Sequence, residues 1–162
     1  AVKEIRKEPV AVLTNSSLMY REDVRRELSL ADLVACKLDA DSDETFAVVN
    51  SPAKDVTFTN ILKGIKDFRK IYKGKLALQI MFMKENMSKA SKIAKLAKSI
   101  NPDEIQINTP LRPSLQKALS ESEISKIKKA FRNFEVISVY DRPLEKITPI
   151  DKKETLKHRG KM

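Results

Sequence analysis

Two charged side chains, Lys37 and Asp39, close an apolar run, Leu33-Val34-Ala35-Cys36, and stand two positions apart. In an extended strand that spacing puts both on one side. A charge left unpaired in such a run would cost several kcal/mol, so the pair is expected either to neutralise itself or to meet a charged ligand. An acidic turn follows at once, Asp41-Ser42-Asp43-Glu44. Similar polar clusters close the other apolar runs: Thr14, Asn15 and Ser16; Lys84, Glu85 and Asn86; Asn108, Thr109 and Arg112; Asp141 and Arg142. Hydroxyls, amides, an ammonium and a carboxylate on neighbouring strand ends suit a small polar ligand with a carboxylate, an amine and hydroxyls.

The elements that must position these groups follow from periodicity. Apolar runs at Pro9–Leu13, Leu33–Leu38, Leu76–Met83, Glu104–Asn108 and Phe134–Tyr140 read as strands. Helical patterns separate them: Arg21–Leu30; a short piece at Glu44–Asn50 ended by Ser51-Pro52; Thr57–Lys73, amphipathic and closed by Gly74; Ser88–Ile100, stopped by Asn101-Pro102; and a helix opened by the capping box Ser120/Glu123 that buries Ile124, Ile127, Ala130 and Phe131. Ala1–Glu8 reads as the end of a helix. The Leu33–Leu38 run is expected to lie in a sheet covered on both faces. Right-handed crossovers make this an α/β fold, a mainly parallel sheet with outer helices, and leave two architectures open: a doubly wound sheet or an arc of a β/α barrel. In either, ligands sit beyond the carboxyl ends of the strands. Residues 1–143 form the domain, and 144–162 a basic tail without a core-forming period.

Composition excludes several chemistries. One cysteine, Cys36, cannot form an internal disulfide and reads as a buried small hydrophobe in a reducing compartment. With one histidine, His158, a zinc site or a Ser-His-Asp triad within the chain is not expected. No glycine-rich dinucleotide loop or Walker sequence occurs. Met81, Met83 and Met87 read as core rather than as a ligand-contacting patch. No run reaches the roughly 18 to 20 apolar residues of a membrane span, and a cytoplasmic protein without a membrane partner is expected. The net charge of +10 suits an anionic partner such as RNA but reads first as a lysine-rich solvated surface.

The succession VAVLTNSSL, ADLVACKLDADSDETF with VVNSP, LALQIMFMKENM and INPDEIQINTPLRPS resembles the radical S-adenosylmethionine superfamily. The likeness is to its archaeal Fe–S oxidoreductase branch, related to the wybutosine-synthesising tRNA enzymes, and covers roughly 9 to 140. The resemblance implies a partial TIM-like barrel, S-adenosylmethionine along the strand ends, a [4Fe–4S] cluster and a deoxyadenosyl radical. It places Asn15 and Ser16 at the family's Thr-Asn-Gly exit, Lys37 and Asp39 near the methionyl carboxylate and ribose, and Asn108 and Thr109 near adenine. Lys84, Asn86 and Arg112 fall to the substrate.

The family's three-cysteine motif has no counterpart in this chain. The chain is therefore expected to be either the carboxyl-terminal part of a longer enzyme whose missing amino-terminal part carries the cluster or a degenerate relative, and its helix-first start favours the former, with no cofactor expected in this chain alone and no catalytic competence by itself. The alternative is a basic α/β RNA-binding module without catalysis. An arc also implies an open edge at the first strand, through which self-association is expected.

Overall fold

The computed structural model describes residues 2–5, 7–111 and 116–141. Five strands, β1 (Ala11–Thr14), β2 (Leu33–Lys37), β3 (Lys75–Met81), β4 (Glu104–Asn108) and β5 (Val136–Ser138), form one sheet in the order of the chain. Every neighbouring pair is parallel. The helices are α1 (Val2–Ile5), α2 (Glu22–Leu28), α3 (Asp43–Asn50), α4 (Phe58–Ile71), α5 (Ala90–Ile100) and α6 (Glu121–Lys128), with single 3₁₀ turns at Met87–Lys89 and Lys129–Phe131. A doubly wound sheet would insert an early strand between later ones. The sequential order makes this an arc of a β/α barrel.

Alternation divides the sheet into unlike faces. Val34, Cys36, Leu38, Leu76, Leu78, Ile80, Ile105 and Ile107 join one core with Phe46, Phe58, Ile61, Ile65, Phe68, Ile93, Ala97, Ile124 and Ile127 of the helices. The alternate positions carry Lys37, Lys75, Gln79, Glu104, Gln106 and Asn108. Among the described residues, the core that joins helices to sheet lies on one face only, which corrects the expectation of a sheet covered twice. The continuous apolar look of β2 arises because Leu33 and Ala35, on the second face, are themselves apolar.

Local signals explain most element ends. Ser120 and Glu123 form the expected capping box, and Asn101 ends α5 in the left-handed conformation (φ 58°). Gly74 does not cap α4. The helix stops at Tyr72, which is extended, and Gly74 is instead required by space: a Cβ there would lie 2.7 Å from the Asp32 carbonyl oxygen. At Gly64 a Cβ would lie 2.5 Å from the Met19 backbone, so this glycine lets α4 press against the turn that follows β1. The acidic turn is spent on caps: Ser42 Oγ accepts from Thr45 N–H at the start of α3, and Asp43 Oδ1 accepts from Phe58 N–H at the start of α4.

The amino ends of the strands share a device. Asp32, just before β2, accepts from Val10 N–H (2.8 Å) beside β1. Asp103, just before β4, accepts from Leu76 N–H (2.8 Å) in β3 and from both arms of Arg69 (2.8 and 3.2 Å). Burial pushes the Asp103 carboxyl up, but the Leu76 N–H and the Arg69 guanidinium outweigh it and hold it below its usual range. A depressed carboxyl stabilises the fold fully above its ordinary value near pH 4 and loses that contribution as pH falls through the folded value. Thermal melts between pH 5 and pH 2 are therefore expected to show Asp103→Asn with a shallower loss of Tm than the parent; equal slopes would remove Asp103 from the acid response.

Candidate functional site

At the carboxyl ends of β1 and β2 the chain builds a polar niche. Lys37 Nζ pairs with Asp39 Oδ2 at 3.2 Å; the lysine is one-third exposed and the aspartate 1%. Asp39 Oδ2 also accepts from Asn50 Nδ2 (2.7 Å), at the end of α3, and its Oδ1 accepts from Met81 N–H (2.8 Å), at the end of β3. Asp39 is thus saturated by the fold. Lys37, whose ammonium keeps two further N–H donors, is the member of the pair that faces outward.

Asn15, Ser17, Lys37, Phe46, Asn50 and Pro52 line a cavity of about 440 Å³ beside this pair, within the usual size of a small-molecule site. Its walls are the exit of β1, the helix α3 and the segment after Pro52. Asn15 is exposed, and its Oδ1 accepts from Ser17 N–H and Ser17 Oγ, which fixes the turn. Ser16 is fully buried with φ 66°. Glycine adopts that left-handed backbone without cost, whereas an L side chain meets its own carbonyl. Ser16 lies beside Cys36, whose thiol burial pushes up to about 12, with the serine hydroxyl acting in the opposite sense. A thiol so placed stays protonated and sits among core side chains, 3.5 Å from Met19 Sδ.

The remaining sequence-derived residues separate into two groups. Asn86 is buried and wholly engaged: its Oδ1 accepts from Met83 N–H, and its Nδ2 donates to the Asp39 and Met81 carbonyls. Thr109 is buried and accepts from Leu119 N–H through Oγ1. These two hold the strand exits in place. Asn108 is half-buried on the second face and lines a concavity of about 400 Å³ with Leu33, Glu104, Gln106 and Ile137; Lys84 is exposed. Arg112 lies outside the described residues, as do Arg142 and the 144–162 tail.

Two features were not foreseen. Asn50 looks like an ordinary helix-end residue until its amide is found on Asp39. The second face carries a polar row, Lys75 Nζ to Glu104 Oε2 (2.6 Å), Glu104 Oε1 from Gln106 Nε2 (2.7 Å), and Gln106 Oε1 from Gln79 Nε2 (3.4 Å). The signal was present as period-two polarity in Glu104-Ile-Gln106-Ile-Asn108.

Removing Asp39 would leave Met81 N–H and the Asn50 amide unsatisfied in a dry place, and Asp39→Ala is expected to cost about 2–4 kcal/mol. Ser16→Gly should move the other way by up to about 1 kcal/mol, by relieving the left-handed serine. Urea unfolding of both variants checks the pair of signs; a neutral Asp39→Ala would show that the carboxylate is not the organiser of this niche.

No protein-family model matches the chain. It is 36% identical over 132 residues to a UPF0026 protein of Methanocaldococcus jannaschii, covering 80% of this chain and 41% of that protein. It is 33% identical over 120 residues to a UPF0026 protein of Synechocystis, covering 73% of this chain and 45% of that one. A protein named GTPase Obg in Brachyspira hyodysenteriae is 36% identical over 136 residues, 80% of this chain and 20% of that protein. The chain thus spans less than half the length of these curated relatives. Among solved structures, a radical SAM methyltransferase from Sphaerobacter thermophilus superposes with a TM-score of 0.63 at 14% identity, over 79% of this chain and 39% of that one. A domain of the pyruvate-formate lyase-activating enzyme from Bacteroides vulgatus superposes at 0.64 and 15% identity, over 79% of each chain. At these identities the likeness is one of fold: a parallel β/α arc of the kind found in those two proteins.

Proposed function

We propose that this chain is the carboxyl-terminal portion of a radical S-adenosylmethionine Fe–S oxidoreductase, of the archaeal branch related to the wybutosine-synthesising enzymes. It contributes part of the cofactor and substrate pocket. The observation that carries the reading is the Lys37–Asp39 pair, with a saturated carboxylate holding a partly exposed ammonium at the mouth of a 440 Å³ cavity on the strand ends. The fold shared with a radical SAM methyltransferase and with a domain of a pyruvate-formate lyase-activating enzyme supports it, as does the chain's spanning less than half of its curated relatives.

The organic cofactor fits the groups present. Lys37 would take the methionyl carboxylate, Asp39 would orient Lys37, Asn15 would meet a ribose hydroxyl, and Asn108 would meet the adenine edge. No partner for the Asn108 amide occurs among the described residues, which leaves it available. Bound to such a site in a complete enzyme, S-adenosylmethionine supplies radical chemistry. An iron–sulfur cluster does not fit this chain's residues. The sequence has one cysteine, buried on the helix-facing side, and among the described residues no three His, Cys, Asp or Glu side chains gather as ligands. Cluster ligation therefore falls to the remainder of a longer protein.

Equilibrium dialysis of S-adenosylmethionine against the full-length protein is the test. Lys37→Ala removes a charge-assisted contact of about 1.5–3 kcal/mol and is expected to weaken binding roughly 10- to 100-fold. Unchanged affinity in a folded variant would reject the assignment of Lys37. The 162-residue chain alone should not retain iron and sulfide after anaerobic reconstitution and desalting, and retention near four irons per chain would overturn the division of labour.

Among the described residues β1 is paired on one side only, and this edge extends the same reading. Leu13, 68% exposed, stands on this edge strand with Leu18, Tyr20 and Leu30 exposed in the residues that follow. In the isolated chain this edge should pair with a second copy. Light scattering that shows only monomer up to millimolar concentration would reject it.

A further inference from the structure

One oxygen at the strand-end niche is left over. Among the described residues two buried side-chain oxygens have no hydrogen-bond partner, Ser16 Oγ and Asn50 Oδ1. Ser16 Oγ lies beside the Cys36 thiol in the core, whereas Asn50 lines the cavity of about 440 Å³ together with Lys37. The orientation of the Asn50 amide is forced. Asp39 Oδ2 can only accept, so Nδ2 must face it, as it does at 2.7 Å, and Oδ1 is turned away from the carboxylate. Buried acceptors are normally answered, and one left open on the wall of a binding cavity marks where a ligand's donor belongs.

The neighbouring groups narrow the ligand. Lys37 Nζ reaches the same Asp39 oxygen at 3.2 Å, so the ammonium and the Asn50 amide stand side by side and one small head group can meet both. Lys37 offers donors to a carboxylate, and Asn50 Oδ1 offers an acceptor to an N–H next to it. Lys37 and Asp39 are neutral as a pair, and a net charge brought among them would go uncompensated, which favours a zwitterion over an anion. Phe46, Val49, Val56 and Ile61 supply apolar wall for an aliphatic or thioether chain. Oδ1 itself is shut off from solvent, and the wall that can open to it is the segment 51–56. Among the described residues its backbone makes one hydrogen bond within itself, Val56 N–H to the Ala53 carbonyl, and one back to α3, Ser51 N–H to the Ala47 carbonyl (3.3 Å), while Ser51 sits in the left-handed region at φ 44°. So sparsely tied a segment can yield and admit a donor.

We propose that Asn50 is a binding residue of the niche and that its Oδ1 takes the ammonium of an α-amino carboxylate whose carboxylate lies on Lys37, a contact that rests on the reading of Lys37 as the carboxylate's partner and on nothing else in the proposed function. The ligand is a free amino acid with an apolar side chain or the methionyl end of S-adenosylmethionine, the same chemistry from two sources.

The test is equilibrium dialysis of the full-length protein with two pairs of ligands: S-adenosylmethionine and its analogue without the α-amino group, and L-methionine and its analogue without that group. In a pair that binds, the parent is expected to prefer the amine-bearing member by about tenfold or more, and Asn50→Ala to reduce that preference to about threefold or less, because a hydrogen bond to a charged donor is lost from one member only. Circular dichroism confirms that the variant is folded. Should Asn50→Ala not fold, Asn50→Gln, which keeps an amide for Asp39 but moves its oxygen, carries the same expectation. A preference kept in the folded variant, with both members weakened alike, would reduce Asn50 to a support for Asp39 and overturn the proposal. A parent without the preference, or one that binds neither pair, would overturn it as well. Amine-dependent binding of the methionine pair alone would remove the cofactor reading and leave Asn50 in this role, whereas S-adenosylmethionine bound without dependence on Asn50 would do the reverse.

Discussion

The structure turns on one buried carboxylate. Asp39 has almost no exposure, and a carboxylate there is tolerable only if both of its oxygens are answered. The three donors that answer it come from three places in the chain: Met81 N–H from β3, the Asn50 amide from α3, and the Lys37 ammonium from β2 itself. Satisfying Asp39 therefore ties the exits of two strands to the helix between them. Asn86 extends the tie, since its amide joins the Asp39 carbonyl to the Met81 carbonyl and Met83 N–H. The niche is rigid because its polar network is closed on itself, leaving Lys37 as the projecting group.

The sheet's two faces express a division of labour. One buries its aliphatic side chains under the helices and supplies the hydrophobic stabilisation. The other carries Lys75, Glu104, Gln106 and Gln79 joined side by side, a row that needs mutual hydrogen bonds because it lies in a concavity rather than in open water. A barrel interior tolerates such polarity where a sandwich core would not. This explains why β3 and β4 alternate in polarity while β2, with Ala35 between Leu33 and Lys37, does not.

Charge is organised by the same geometry. Carboxylates are placed where backbone N–H groups need acceptors, as Asp32, Asp103 and Asp43 are, and each then draws a nearby cation or hydroxyl. The helix α5 has no acidic residue of its own, and among its lysines Lys92 alone pairs with a carboxylate, Asp41, among the described residues. Among the described residues, the exposed lysines of α5 are the clearest case of cations set apart from the carboxylates that serve the strand and helix ends.

Much of this was legible in the amino-acid sequence because it depends on local pattern. The five strands, the amphipathic α4 and α5, the Ser120/Glu123 capping box and the left-handed stop at Asn101 follow from spacing and from residues with narrow backbone preferences. The strand boundaries shifted by a few residues, since ladder pairing rather than hydrophobicity ends a strand. Lys37 and Asp39 were legible as a same-side pair because a strand has period two. Their unequal roles were not, for Asp39 is saturated by Asn50 and Met81, 11 and 42 residues away. Asn86 and Thr109 read as exit polar groups, and only the tertiary structure turned them inward onto backbone. Gly74 read as a helix cap, and only the close approach of the Asp32 carbonyl shows that its missing Cβ, not its backbone freedom, is what the fold uses. The choice between a doubly wound sheet and an arc was equally beyond periodicity, because both have the same order of elements along the chain and differ only in which strands lie side by side.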